Sequence, residues 1–435
     1  MNNSKKNNKH AKKIRNLVIV CALCAVVLSV STYAWFIGMK TVSVQSFDVE
    51  IATTEGLFLS MDGINWSYNL DARNATPYTG NTNTWAPDGL IPMSTVGDMD
   101  SDVSRMKLYE KGSLTTTKGG FRLLSSRVHN HDQVEEADGY VAFDLFIKNL
   151  SGAEYYTDNE VANEEAIYLT TNSAVTVASD GGIANTGIEN SVRVAFVQIG
   201  RVKGDNVTQK TITDITCSDV LDGETKIVTG ICRNAQIWEP NDTYHVTNAT
   251  NWYDKSCLPR KETGADLTLD TSYDTTEGAE CKKVTGAVKT YAVSRALGIS
   301  DKVDIYDGAE YNGYAANTVE YSEYSTATDK SNYKLVDFPY FTDTMKIKTG
   351  TARPEFMTLA PNSITKLRVY IFIEGQDIDN YDFASLGKKI SINFGFTKER
   401  YIESDIDYVG PSTDITNDDD LTEETPTEEP TPQTP

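Results

Sequence analysis

GYVAFDLFIKN, residues 139–149, is the clearest strand in the chain. Val141, Phe143, Leu145 and Ile147 recur at a period of two, with Asp144 and Lys148 on the other face, and the run stops at the turn-forming Asn149-Leu150-Ser151-Gly152. Residues 166–177, 191–199 and 226–238 read the same way, each rich in Val, Ile, Thr or aromatic side chains. Towards the N-terminus, Val42 and Val44 alternate with polar residues, then Phe47, Val49 and Ile51 do so one residue out of phase, which predicts a strand bulged near Gln45. The turn Thr53-Thr54-Glu55-Gly56 leads to Leu57, Leu59 and Met61, so an opening hairpin is expected. Residues 364–373 and 389–396 predict a closing strand pair around Glu374, Asp377 and Asp379, which read as turn residues.

Between these strands the composition changes. Residues 67–102 are rich in Asn, Thr, Pro and Gly, and Trp66 and Trp85 are expected to pin this excursion. Residues 242–343 form the least regular part, an insert in which a short helix is expected over 287–297. Short strands separated by turn residues, with few helical periods, predict a mainly β chain over residues 40–403, an antiparallel β-sandwich with long inserted loops.

One apolar stretch decides the compartment. Residues 17–39, LVIVCALCAVVLSVSTYAWFIGM, carry no charge and follow Lys5, Lys6, Lys9, Lys12, Lys13 and Arg15. As a helix this stretch would run about 35 Å, enough for a hydrocarbon core of about 30 Å, with the basic residues 1–15 held in the cytoplasm. Residues 16–39 therefore read as one N-terminal membrane-spanning anchor or as a signal peptide. The short core 17–28 and the small Ala34 fit cleavage after Ala34, whereas the resumed apolar character at Trp35 and Phe36 fits an intact anchor. On either reading the chain from Lys40 onward is expected to be extracellular, bound to the cell membrane or secreted. Cys21 and Cys24 follow Val20 and Leu23, which is unlike a lipid-attachment motif, and they read as apolar fillers of the helix.

The formal net charge is −22, and residues 404–435 hold ten acidic and no basic side chains among Thr and Pro, which predicts a disordered acidic tail. Such charge repels nucleic acid, so that class of partner is set aside. Four cysteines lie outside the apolar segment: Cys217, Cys232, Cys257 and Cys281. Their even number and export predict two disulfides, in any of three connectivities, and their spacing lacks the CxxC of a zinc site.

Signals for chemistry are sparse. Beyond the apolar segment there are three histidines, His129, His131 and His245, and no HExxH or GxSxG motif, so no catalytic residue is assigned and the chain is expected not to be an enzyme. Asp98, Asp100 and Asp102 alternate like the start of a calcium loop, making calcium a candidate ligand. The sixth position, however, is Val103 where the EF-hand needs Gly. Tyr306, Tyr311, Tyr314, Tyr321 and Tyr324 crowd the insert among Asn, Ser and Gly, a mixture suited to stacking on sugars or gripping a protein surface.

The run Thr32-Tyr33-Ala34-Trp35-Phe36, followed by Ser46-Phe47-Asp48-Val49-Glu50-Ile51, resembles exported proteins of Gram-positive bacteria (Firmicutes), among them the camelysin and TasA-type biofilm-fibre family. The hairpin-like 57–66 and the strand end 370–379 are similar to uncharacterised surface proteins with the same opening. The resemblance implies a jelly-roll-like sandwich and implies no reaction. Greater length, four exported cysteines and the Tyr-rich insert depart from the fibre family. The leading expectation is a non-enzymatic cell-surface or matrix protein acting in assembly or adhesion; the alternative is a carbohydrate-binding module that holds surface glycans with the tyrosines, and behind both stands a calcium- or metal-dependent hydrolase. Cleavage after Ala34 would free the strand at 41–52 for donation to a neighbour, although its alternation suits an ordinary first strand better.

Overall fold

The computed structural model describes residues 44–53, 56–95, 97–117, 120–128, 135–177, 186–241, 244–257, 260–263, 266–269, 309–313, 341–342, 355–375, 377–381 and 388–401. The basic segment 1–15, the apolar segment 16–39 and the tail 404–435 lie outside them, as does the helix expected at 287–297. Among the described residues no helix is long and apolar enough to cross a membrane.

The fold is mainly β, with sheets paired mostly antiparallel. At the centre of the larger sheet strand Ser363–Glu374 lies between Val141–Asn149 and Val192–Lys203, antiparallel to both. The smaller sheet has Lys388–Thr397 at its middle, flanked on one side by Glu165–Leu169 and Ala174–Val177 and on the other by Val44–Thr53. The pair formed by Val44–Thr53 and Lys388–Thr397 is parallel, and its register slips between Val44 and Ser46, where the sequence predicted a bulge.

Two expectations are corrected. Val44–Thr53 and Leu57–Ser60 are not a hairpin: the first pairs with Lys388–Thr397, the second with Val141–Asn149 in the other sheet. Gly56, at φ +84°, turns the chain between the sheets, and this lets Val49, Ile51, Leu57 and Leu59 enter one apolar cluster. Likewise Ser363–Glu374 and Lys388–Thr397 are both strands but belong to different sheets.

That cluster draws Val141, Phe143, Val194, Phe196, Leu367 and Val369 from the larger sheet and Ile167, Ile390, Ile392, Phe394 and Phe396 from the smaller. Phe196 meets Phe356, Phe394 and Phe396 edge-on, at ring separations of 4.8, 5.0 and 5.7 Å. Trp85 stacks on Phe143 at 5.4 Å and so pins the 67–102 excursion, as expected. The opposite face of the larger sheet is covered too, by a second cluster that includes Met93, Met106, Ala142, Phe146, Val197 and Tyr370. All twelve residues of Ser363–Glu374 are consequently buried, charged ones included.

Candidate functional site

Three groups of polar side chains are built into this frame. The first fills the second face of the larger sheet. Asp144 and Arg368 are register partners on neighbouring strands, so their side chains meet on one face. Arg368 Nε donates to Asp144 Oδ1 at 2.7 Å, Tyr78 donates to Oδ2 at 2.6 Å, and Lys366 Nζ lies 3.4 Å from Oδ2. Arg368 also reaches Glu136 Oε1 at 3.1 Å, where Tyr370 donates at 2.9 Å, while Tyr140 donates to Oε2 at 2.6 Å. Burial alone would raise the Asp144 carboxyl, but the Arg368 and Lys366 charges and the hydrogen bonds from Arg368 and Tyr78 hold it well below the usual carboxylate range. Each acid here is closed by donors of the same cluster, which makes it a buried structural network.

The second group lies where the turn after Ser363–Glu374 meets helix Thr247–Cys257. His245 Nδ1 is 2.6 Å from Asp379 Oδ2, and Val246 N–H donates to Oδ1 at 3.1 Å. Asp377 Oδ2 accepts from Arg193 Nη2 at 2.7 Å, and Arg193 also pairs with Glu239. Gly187, at φ +91°, passes so close to Asp379 Oδ1 and to Val246 that a Cβ would overlap both. Burial lowers the proton affinity of the His245 ring, yet the hydrogen bond that its Nδ1–H donates to Asp379 and the Asp377 and Asp379 charges outweigh it and raise the ring above its ordinary value. Among the described residues these three alone bring His, Asp or Glu ligand atoms together, all within 4.8 Å. The Arg193 guanidinium already supplies the positive charge facing Asp377, so the group reads as a latch on the helix entry.

The third group opens to solvent. A cleft of about 230 Å³ lies between Phe356, Met357 and Thr358 on one side and Phe196, Gln198, Arg233 and Gln236 on the other. Its charge rests on Glu164, whose side chain is fully buried and meets two arginines. Arg201 Nη1 donates to Oε1 at 2.6 Å, and Arg233 takes both oxygens end-on, with Nη2 2.7 Å from Oε1. Burial pushes the Glu164 carboxyl up, but hydrogen bonds from Arg233 and Thr358 and the two guanidinium charges bring it below its ordinary value. Arg233 is in turn set by its chain neighbour. Cys232 is bonded to Cys217 with Cα atoms 4.9 Å apart, and both Ile231 and Cys232 donate backbone N–H to Ile199 O. Gly230 makes room, since a Cβ there would overlap the Cys217 carbonyl.

The bonded pair Cys217–Cys232 is one of the pairings the sequence allowed. The side chain of Cys257, and Cys281 altogether, lie outside the described residues, as do His129, His131, Ala34, Tyr306, Tyr314, Tyr321 and Tyr324. Tyr311 is described only as backbone in strand Ala309–Gly313. Asp98, Asp100 and Asp102 do not gather as a calcium loop: Asp98 accepts from Asn234 at 3.1 Å, Asp100 is buried in a two-stranded pairing with Arg105, and Asp102 is exposed in the turn between them. Glu374, Asp377 and Asp379, read as turn residues, are buried and face inward. Asp377 Oδ1 does accept from the Asp379 N–H at 2.9 Å, as a turn residue would, but the Arg193 and His245 partners of these two carboxylates lie more than a hundred positions away, and a sequence offers no signal for such pairings.

Compared with protein-family models, curated proteins and solved structures, the chain matches none.

Proposed function

We propose that this chain is a non-enzymatic exported protein of the Gram-positive cell surface or matrix, whose two sheets form a jelly-roll-like sandwich that acts in assembly or adhesion. One observation carries the reading. The strand directly behind the apolar segment, Val44–Thr53, runs parallel to Lys388–Thr397 and buries Val49 and Ile51 in the shared cluster. Among the described residues its other side meets the short strand Asn69–Asp71 at Glu50, Ile51 and Ala52, with flanking backbone bonds from Ala72 to Val49 O and from Thr53 to Tyr68 O, which leaves its first half, Val44–Asp48, without a partner strand on that side. Such a strand is held by a ladder and by buried apolar side chains such as Val49 and Ile51 rather than by a local hairpin, so the same groove accepts it equally from its own chain or from a neighbour. The acidic surface and the disulfide suit an oxidising exterior.

The test compares a chain beginning at Lys40 with one beginning at Thr53, by electron microscopy and thermal melting. The longer chain should form filaments with rising concentration. The shorter should neither polymerise nor melt cooperatively until a peptide spanning 41–53 is added. A monomeric, thermally stable shorter chain would overturn the proposal.

A further inference from the structure

The cleft beside Arg233 goes beyond assembly, because its donors are only partly used. Arg233 spends its end-on edge on Glu164, and Nη1 also reaches Gln198 Oε1 at 3.1 Å and Thr358 Oγ1 at 3.2 Å. Its Nε and the second Nη2 hydrogen, which form the side-on edge of the planar guanidinium, take no acceptor among the described residues. The side chain is 24% exposed at the cleft. A side-on guanidinium edge presents two parallel N–H groups, the geometry that receives both oxygens of a carboxylate. It is also held rigid, since the buried Glu164 grips one edge and the Cys217–Cys232 bond fixes the backbone next to it.

Arg201 and Arg233 set two positive charges against the buried carboxylate of Glu164, so the guanidinium at the cleft is not neutralised by Glu164 alone, and the Glu355 carboxylate on the rim completes the balance. Of the acids nearby, Asp98 is held by Asn234, and Glu355 is exposed on the rim. The side chains of Glu355 and Gln236 line the cleft without a hydrogen-bond partner among the described residues, and so offer an acceptor and an amide to hydroxyl groups. A peptide strand is disfavoured, because Gln198 Nε2 already donates to the carbonyl of Thr358 at 2.6 Å and occupies the edge that strand addition would need. At about 230 Å³ the cleft falls below the roughly 300–1,000 Å³ of drug-sized sites and suits one sugar ring.

We propose that this cleft binds a single acidic sugar residue of uronic-acid type, its carboxylate on the side-on edge of Arg233 and its hydroxyls on Gln236 and Glu355. The full chain in nonionic detergent is titrated calorimetrically with a galacturonic acid trisaccharide, with the same trisaccharide reduced at its carboxyls, and with a tri-glutamate peptide. Saturable binding is expected for the uronate alone. Arg233→Lys, which keeps the charge and loses the fork, should weaken it at least tenfold, and Gln236→Ala, a surface change that leaves folding intact, should weaken it several-fold. Equal binding of the reduced sugar or of the peptide, no binding of the uronate, or unchanged affinity in Gln236→Ala and Arg233→Lys would each overturn the assignment.

Discussion

His245 and Val246 grip opposite oxygens of one carboxylate: the ring nitrogen lies 2.6 Å from Asp379 Oδ2, and the next backbone N–H donates to Oδ1 at 3.1 Å. This pinches the entry of helix Thr247–Cys257 onto the turn after the central strand, where Val246, Ala249 and Ile378 form a small apolar cluster.

The pinch should depend on pH with a definite sign. The groups facing the ring are Asp377, Asp379 and, behind them, Arg193 and Glu239, and their balance raises the proton affinity of His245 in the folded state. A histidine raised on folding contributes its full stabilisation below its ordinary value of 6.5 and loses it as pH rises through the higher folded value. The stability difference between the wild type and His245→Gln, from urea melts, should be about 1–3 kcal/mol at pH 6 and shrink in mildly alkaline buffer. A difference that grows with pH would contradict the latch.

Gly187 is the backbone side of the same latch. Gly187→Ala adds a methyl against Asp379 Oδ1 and Val246 at a backbone angle that L side chains rarely adopt. A loss of about 1–3 kcal/mol is expected, with faster amide exchange at Val246. Wild-type exchange at that amide would show that the close approach is dispensable.

Asp144→Asn should cost more, about 3–5 kcal/mol, because Arg368 and Lys366 keep their charges inside the fold without their shared counter-ion. The wild-type carboxyl titrates below its ordinary 3.8, so its contribution is intact above that value and is lost only as pH falls through the lower folded one. Acid melts should therefore show no loss from this group at pH 5. A transition near pH 5 that Asp144→Asn abolishes would refute the assignment.

The Cys217–Cys232 bond closes a loop of sequence separation 15, for which lost chain entropy predicts about 3 kcal/mol. Replacing both cysteines with Ser should lower the unfolding free energy by that order. It should also loosen Arg233, so hydrogen exchange should rise at the amides of Ile231 and Arg233 before it rises in the central strands.

What the sequence revealed was what repeats locally. Val141, Phe143, Leu145 and Ile147 announce their face by period, and the slip from Val44 to Phe47 announces a bulge that the pairing register bears out. The covering of the opposite face was not legible, since Asp144 and Arg368 look solvent-facing until each is known to bury the other. The turn at 53–56 misled for a related reason: its residues serve equally a hairpin or a crossing between sheets, and the true partner of Val49 is Ile392. Arg233 and Glu164 stand 69 positions apart, and nothing local marks either one.

The parallel pairing of Val44–Thr53 with Lys388–Thr397 has a mechanical consequence. Val44 lies beside Lys388, and Thr53 beside Phe396, so the chain enters this pair at one end and leaves it at the other. Tension between an N-terminal tether and the C-terminal side of the molecule therefore runs along the two strands in opposite senses. It loads the nine register pairs together in shear instead of opening them one after another. A protein held at its N-terminus and pulled from its far end would resist through its strongest direction, and rupture would require the ladder to fail as a unit.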